Sequence, residues 1–191
     1  VEVTGNVGFG IAGIDRQDGA WNRNGVYKIE MLVNGKPFYD FTMNTFSFAE
    51  SRYINSHIDF SQRICCGKRI NKLYLDPNNQ LSIYADKTKM KLLTFEEDSL
   101  YNVNILVSDL AGNTSTLNFK VRRAKDLPMA GSMPTEIDLP LFRQDQSNFY
   151  VKNKLSVVLP NGALYRNIYF EHEVLEPCAS CLSEVHQVSS E

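Results

Sequence analysis

His57 and Asp59 fall within the ten residues "SRYINSHIDF" (51–60), beside Arg52. A histidine two residues from an aspartate is the kind of pair that could hold a metal ion or pass a proton. If 52–60 is extended, alternate side chains point to opposite faces. Arg52, Ile54, Ser56, Ile58 and Phe60 then face one way, and Tyr53, Asn55, His57 and Asp59 the other. His57 and Asp59 would share a face about 7 Å apart at strand rise. One His and one Asp make at most half a metal site, and no further histidine or partner nucleophile stands near them in sequence. The pattern predicts a polar strand face with His57 hydrogen-bonded to a neighbour. No catalytic, metal-binding or cofactor-binding residue is assigned.

Other residues invite weaker readings. The four cysteines form an adjacent pair, Cys65-Cys66, and a CxxC, Cys178 to Cys181. They are too few for a disulfide framework in a chain this long. His172 and His186 flank the CxxC, so a Cys2His2 zinc cage is arithmetically possible. Free thiols are the first expectation, a loop disulfide the second and zinc the third. In "DRQDGAWNRNG", the oxygen-bearing residues Asp15, Asp18, Asn22 and Asn24, with Gly25, could hold calcium. Their spacing lacks the regular calcium-loop pattern and its terminal glutamate, so a solvated loop is expected. Trp21 in this loop is read as a buried plug rather than a sugar platform. "GNVGFGIAGID" has phosphate-loop-like glycine spacing but no helical pattern after it, and reads as a glycine-spaced strand with bends.

The elements that must position these residues have period two. Tyr27, Ile29, Met31 and Val33 alternate with Lys28 and Glu30 before Asn34-Gly35, a strong hairpin signal, and "KPFYDFTM" returns. "NQLSIYA" puts Leu81 and Ile83 on one face. Tyr101, Val103, Ile105 and Val107 form another face, 109–113 a turn, and Leu117, Phe119 and Val121 the returning core face. No segment sustains a helical period over three turns. This predicts an all-β chain: an antiparallel immunoglobulin-like β-sandwich at 1–123 and a partial second β unit at 148–191. Residues 124–147, with three prolines, read as a linker or surface strap. In the second unit, 155–159 and "IYFEHEV" are expected to pair around Pro160-Asn161-Gly162, leaving the last 17 residues as loop.

The 191 residues are 43% hydrophobic, enough to bury a core, and the net charge of -2 gives no basic field to attract nucleic acid. No apolar run is long enough to cross a bilayer as a helix. The chain starts at Val1 without a signal peptide, so either a signal has been removed or this is a piece of something longer.

The stretches "NGVYKIEMLVNGKPFYDFTMNTFSFAESRYINSHIDF", "NNQLSIY" and "VSDLAGNTSTLNFKV" resemble the non-catalytic β domain of secreted lysostaphin-type zinc metallopeptidases, bacterial enzymes that cut cell-wall cross-bridges. "LSVVLPNGALYRNIYFEHEV" and "LSEVHQV" look like the start of the next β module of the same proteins. The family's zinc ligands, an HxxxD and an HxH, have no counterpart here: Ser61, Glu176 and Ser190 stand four residues after His57, His172 and His186. The resemblance therefore implies an accessory region with no cofactor of its own, zinc belonging to a peptidase domain upstream of Val1. It implies a periplasmic or cell-envelope location, with that domain and peptidoglycan as partners. A free-standing adhesion or carbohydrate-binding β module is the rival expectation.

Overall fold

The computed structural model describes residues 1–16, 19, 21, 23–96, 99–124, 138–177 and 183–190. The chain divides into two compact units, Val1–Gly131 and Ser132–Glu191. It is all-β and sandwich-like, with mainly antiparallel sheets and little helix. None of the helices among the described residues is long and apolar enough to cross a membrane.

The first unit begins with five short strands: β1 (Glu2–Val3), β2 (Asn6–Val7), β3 (Gly10–Ile11), β4 (Asp15–Arg16) and β5 (Arg23–Asn24). The long strands are β6 (Lys28–Val33) and β7 (Lys36–Thr42). A 3-10 turn at Phe48–Tyr53 leads into two short helices, α1 (Ile54–His57) and α2 (Phe60–Cys66). Then follow β8 (Asn71–Lys72), β9 (Leu93–Thr94), β10 (Leu100–Ser108) and β11 (Thr114–Arg123). One five-stranded sheet runs β1-β11-β10-β6-β7, antiparallel except where β1 joins β11 in parallel. The β6–β7 turn is the predicted Asn-Gly: Asn34 and Gly35 both have positive φ, at 50° and 75°, which matches the twist of the flanking strands.

One face of that sheet carries Ile29, Met31, Tyr39, Phe41, Val103, Ile105 and Val121, all buried. Residues 53–95 cover it with buried Leu73, Leu81, Tyr84, Met90 and Phe95. Burying each such side chain contributes roughly 1.5–3 kcal/mol, so this layer carries most of the unit's hydrophobic stabilisation. Leu81 and Ile83 are buried as expected, although 78–83 is turn and loop, joined to the sheet edge by the Phe41–Tyr84 bridge and the bond from Thr42 N to Ile83 O. The returning face of β11 is graded. Val121 is buried, Phe119 half-buried against Phe9, and Leu117, expected on the core face, is half exposed.

The second unit contains β12 (Leu141–Phe142), β13 (Asn148–Lys152), β14 (Leu155–Leu159), β15 (Ile168–Leu175) and β16 (Val185–Ser190). Its pairing corrects the expectation. Residues 155–159 turn back on β13 through Asn153-Lys154, whose φ values of 49° and 65° make a tight hairpin turn. "IYFEHEV" pairs instead with β12 and β16. The segment after 174 therefore supplies a strand, and 141–142 of the expected linker is a strand of this unit. Residues 125–137 of that linker lie outside the described residues. The buried Asn148 side chain ties the turn before β13, accepting from Arg143 N at 2.8 Å and donating to Arg143 O and Gln146 O.

Candidate functional site

The stretch that opened the question is not a strand. Residues 48–66 fold as the 3-10 turn, α1 and α2, and Tyr53, Ser56 and His57 are buried at helical spacing. Two of those three are polar, so an apolar periodicity could not reveal the helix. Its boundaries were written in capping residues. Ser47 and Glu50 have the Ser-x-x-Glu spacing of a helix start, but the Ser47 side chain caps no backbone group: its Oγ donates to Glu50 Oε1 at 3.3 Å, and Glu50 N bonds to Ser47 O. Asp59 is the N-cap of α2, its Oδ1 accepting from Gln62 N at 3.0 Å. Gly67 closes α2 in the left-handed conformation, with Gly67 N bonded to Arg63 O and Lys68 N to Gln62 O.

His57 and Asp59 therefore do not share a face. Ile58 between them is extended, and their side chains go to separate tasks. His57 enters the core, 2% exposed, with its ring edge-on to Phe41 at 4.7 Å and Nδ1 3.0 Å from the Tyr84 hydroxyl. The expected hydrogen bond to a neighbour is present, but on a helix rather than a strand. Burial, reinforced by the Lys72 charge, lowers its pKa to about 4, so the ring is neutral at pH 7. The Asn71 side chain pulls the other way without making a well-formed bond to Nε2, which has no partner. Burial likewise pushes the Tyr84 and Tyr39 hydroxyls up, so neither is a base at neutral pH.

Around this ring a polar network joins the helical segment to 72–81. Ser56 Oγ donates to Asp76 Oδ2 at 2.7 Å, and Asp76 also pairs with Lys72. Arg52 donates to the Tyr53 hydroxyl at 2.6 Å, which donates to Gln80 Oε1 at 3.1 Å. Asn79 Nδ2 reaches Tyr53 O, and Asn79 Oδ1 accepts from Leu81 N. These bonds satisfy polar groups that the packing of α1 would otherwise strand.

The remaining candidates resolve separately. Gly8 and Gly10 are close-packing residues: a Cβ on Gly10 would sit 2.6 Å from Ile70 Cγ2, and one on Gly8 would strike the Tyr74 ring. Asp15 and Asn24 are opposite each other in the β4–β5 pair, while Asp18 and Asn22 lie outside the described residues. Trp21 is fully exposed, which overturns the buried-plug reading. Cys65 and Cys66 are joined in a disulfide rather than free. Cys178 and Cys181 lie outside the described residues. His172 and His186, far apart in sequence, are brought to 3.0 Å by the β15–β16 pairing. No group of three or more His, Cys, Asp or Glu among the described residues could hold a metal ion.

Residues 140–191, the strands of the second unit, match a family described as a Zu5-like domain. No curated protein and no solved structure matches the chain. The likeness to a Zu5-like domain concerns the second unit alone.

Proposed function

We propose that this chain is the non-catalytic β region of an exported bacterial zinc metallopeptidase that cuts peptidoglycan cross-bridges, where it positions or shields the peptidase domain. The observation that carries the reading is the use made of His57 and Asp59. The first is sealed as a neutral ring in the core and the second caps α2, so the stretch most suggestive of chemistry serves the fold. The residues resembling the lysostaphin-type accessory domain supply the enzymatic parent, the envelope location and the peptidoglycan partner. The decisive experiment reads the upstream coding sequence for an HxxxD and an HxH, then compares cross-bridge cleavage by the whole protein with and without this region. Those motifs and a changed cleavage rate are expected. Zinc-dependent cleavage by residues 1–191 alone, lost on His57→Ala, would overturn the reading.

The exposed Trp21 favours a second reading, a carbohydrate-binding β module, since a bare indole is a face on which a sugar ring can stack. Retention on glycan strands that Trp21→Ala abolishes, with no peptidase encoded upstream, would establish it instead.

A further inference from the structure

Cys65 and Cys66 end α2 in a disulfide between sequence neighbours. A disulfide stabilises a fold chiefly by closing a loop in the unfolded chain. This one encloses no intervening residue, so it has no loop to close and ties nothing distant. The helix end is secured without it, by Gly67 N on Arg63 O and Lys68 N on Gln62 O. Both cysteines are exposed, and Ile64 beside them is 69% exposed. The bond is open to reagents and does little for stability.

Adjacency also sets its chemistry. Neighbours across a trans peptide stand 3.8 Å apart at Cα, where disulfide partners usually lie about 4.4–6.8 Å apart. The ring is tighter than ordinary, and tight, exposed disulfides are the ones that exchange. Charge acts in the same direction. Residues 60–72 contain Arg63, Lys68, Arg69 and Lys72 and no carboxylate. Lys72 is paired with Asp76. Arg63, Lys68 and Arg69 are exposed and enter no ion pair among the described residues. Three cations close in sequence favour a thiolate on either sulfur, against the carbonyl end of α2, which alone would disfavour it.

We propose that Cys65–Cys66 is a thiol–disulfide exchange site whose partner is a dithiol reductant. One thiolate of the reductant attacks a cysteine sulfur. The Sγ–Sγ bond breaks, and its electron pair leaves on the neighbouring sulfur, which takes up a proton. The reductant's second thiolate then attacks its own sulfur in the mixed disulfide and expels the first cysteine as a thiolate. The cysteine pair gains two electrons and the dithiol becomes a disulfide. A monothiol fares worse, because the freed cysteine next door attacks the mixed disulfide, closes the ring again and ejects it.

Trypsin leaves this pair alone on residues 64–68 and the other two cysteines on residues 167–191, so mass spectrometry reads them separately. The air-oxidised native chain is treated with dithiothreitol, alkylated and digested. We expect peptide 64–68 to be a closed disulfide before treatment and doubly alkylated after it, without denaturant. Excess oxidised dithiothreitol should close it again, and the melting curve of the first unit should be the same in both states. Glutathione alone should open the pair at least about 10-fold less. Cys66→Ser, which removes the resolving thiol, should retain glutathione on Cys65 as a stable mixed disulfide. Arg63→Gln, Lys68→Gln and Arg69→Gln together should slow opening about 3-fold by making the leaving thiol more basic. Free thiols in the untreated peptide, a pair that opens only in denaturant, or a first unit that melts when it opens overturns the proposal.

Discussion

Each unit sets a histidine Nδ1 against a tyrosine hydroxyl, His57 with Tyr84 at 3.0 Å and His172 with Tyr150 at 3.1 Å, yet the two pairs serve opposite ends. The second nitrogen of His57 is buried without a partner. The second nitrogen of His172 meets another imidazole, and both rings are only half-buried. Surroundings, more than residue identity, decide what an imidazole can do. In the first unit desolvation removes its charge and leaves a packing element; in the second the ring sits among polar partners, the Tyr150 hydroxyl and the His186 ring. The cores differ in the same sense. The first unit buries a continuous apolar layer. The described part of the second buries chiefly Phe142 and Phe170, stacked at 4.6 Å, while Phe149, Val151 and Val158 stay exposed.

The largest effect that tests this contrast is Phe41→Ala. Phe41 is 1% exposed and touches Tyr39 and His57, so its truncation should cost about 3–5 kcal/mol. Chemical denaturation of the first unit would measure it, and a loss below about 1 kcal/mol would dissolve the supposed difference in core depth.

Next comes an acid slope assigned to His57. Its folded pKa is depressed to about 4 from an ordinary 6.5, so the unfolded chain takes up the proton first as pH falls. Its contribution is full above pH 6.5, declines between pH 6.5 and 4, and is constant below. The total loss is about 3 kcal/mol. His57→Leu should flatten that part of the stability–pH curve; an unchanged slope would show that the ring is not the dry group described here.

A smaller effect concerns Asp59. Asp59→Ala should cost about 1 kcal/mol through loss of the α2 cap, and Asp59→Asn almost nothing, because an amide oxygen also caps. Equal losses in the two variants would point to a charge role instead. Smallest is Phe149→Ala in the second unit. At 70% exposed, it should shift stability by no more than about 0.5 kcal/mol, and a cost like that of Phe41 would reveal a cover over this face.

The sequence by itself determined the all-β class, the β6–β7 hairpin and the core face of β10, while on β11 only Val121 is fully buried and Leu117 is half exposed. Period-two alternation and an Asn-Gly pair are local consequences of strand geometry and turn sterics. It also carried the caps of α2 in Asp59 and Gly67, which alternation in 52–60 obscured. Tertiary structure decided the rest. Leu155–Leu159 had two candidate partners, and the Asn153-Lys154 turn prevailed over Pro160-Asn161-Gly162 although Lys154 must hold a left-handed φ, a choice local preference disfavours. Whether His57 was a ligand or a wedge depended on Phe41 and Tyr84, 16 and 27 residues away in the chain. The meeting of His172 and His186 rests on the register of β15 against β16. Strand register is set by long-range pairing, and a shift of one residue would turn His186 to the other face and part the two rings.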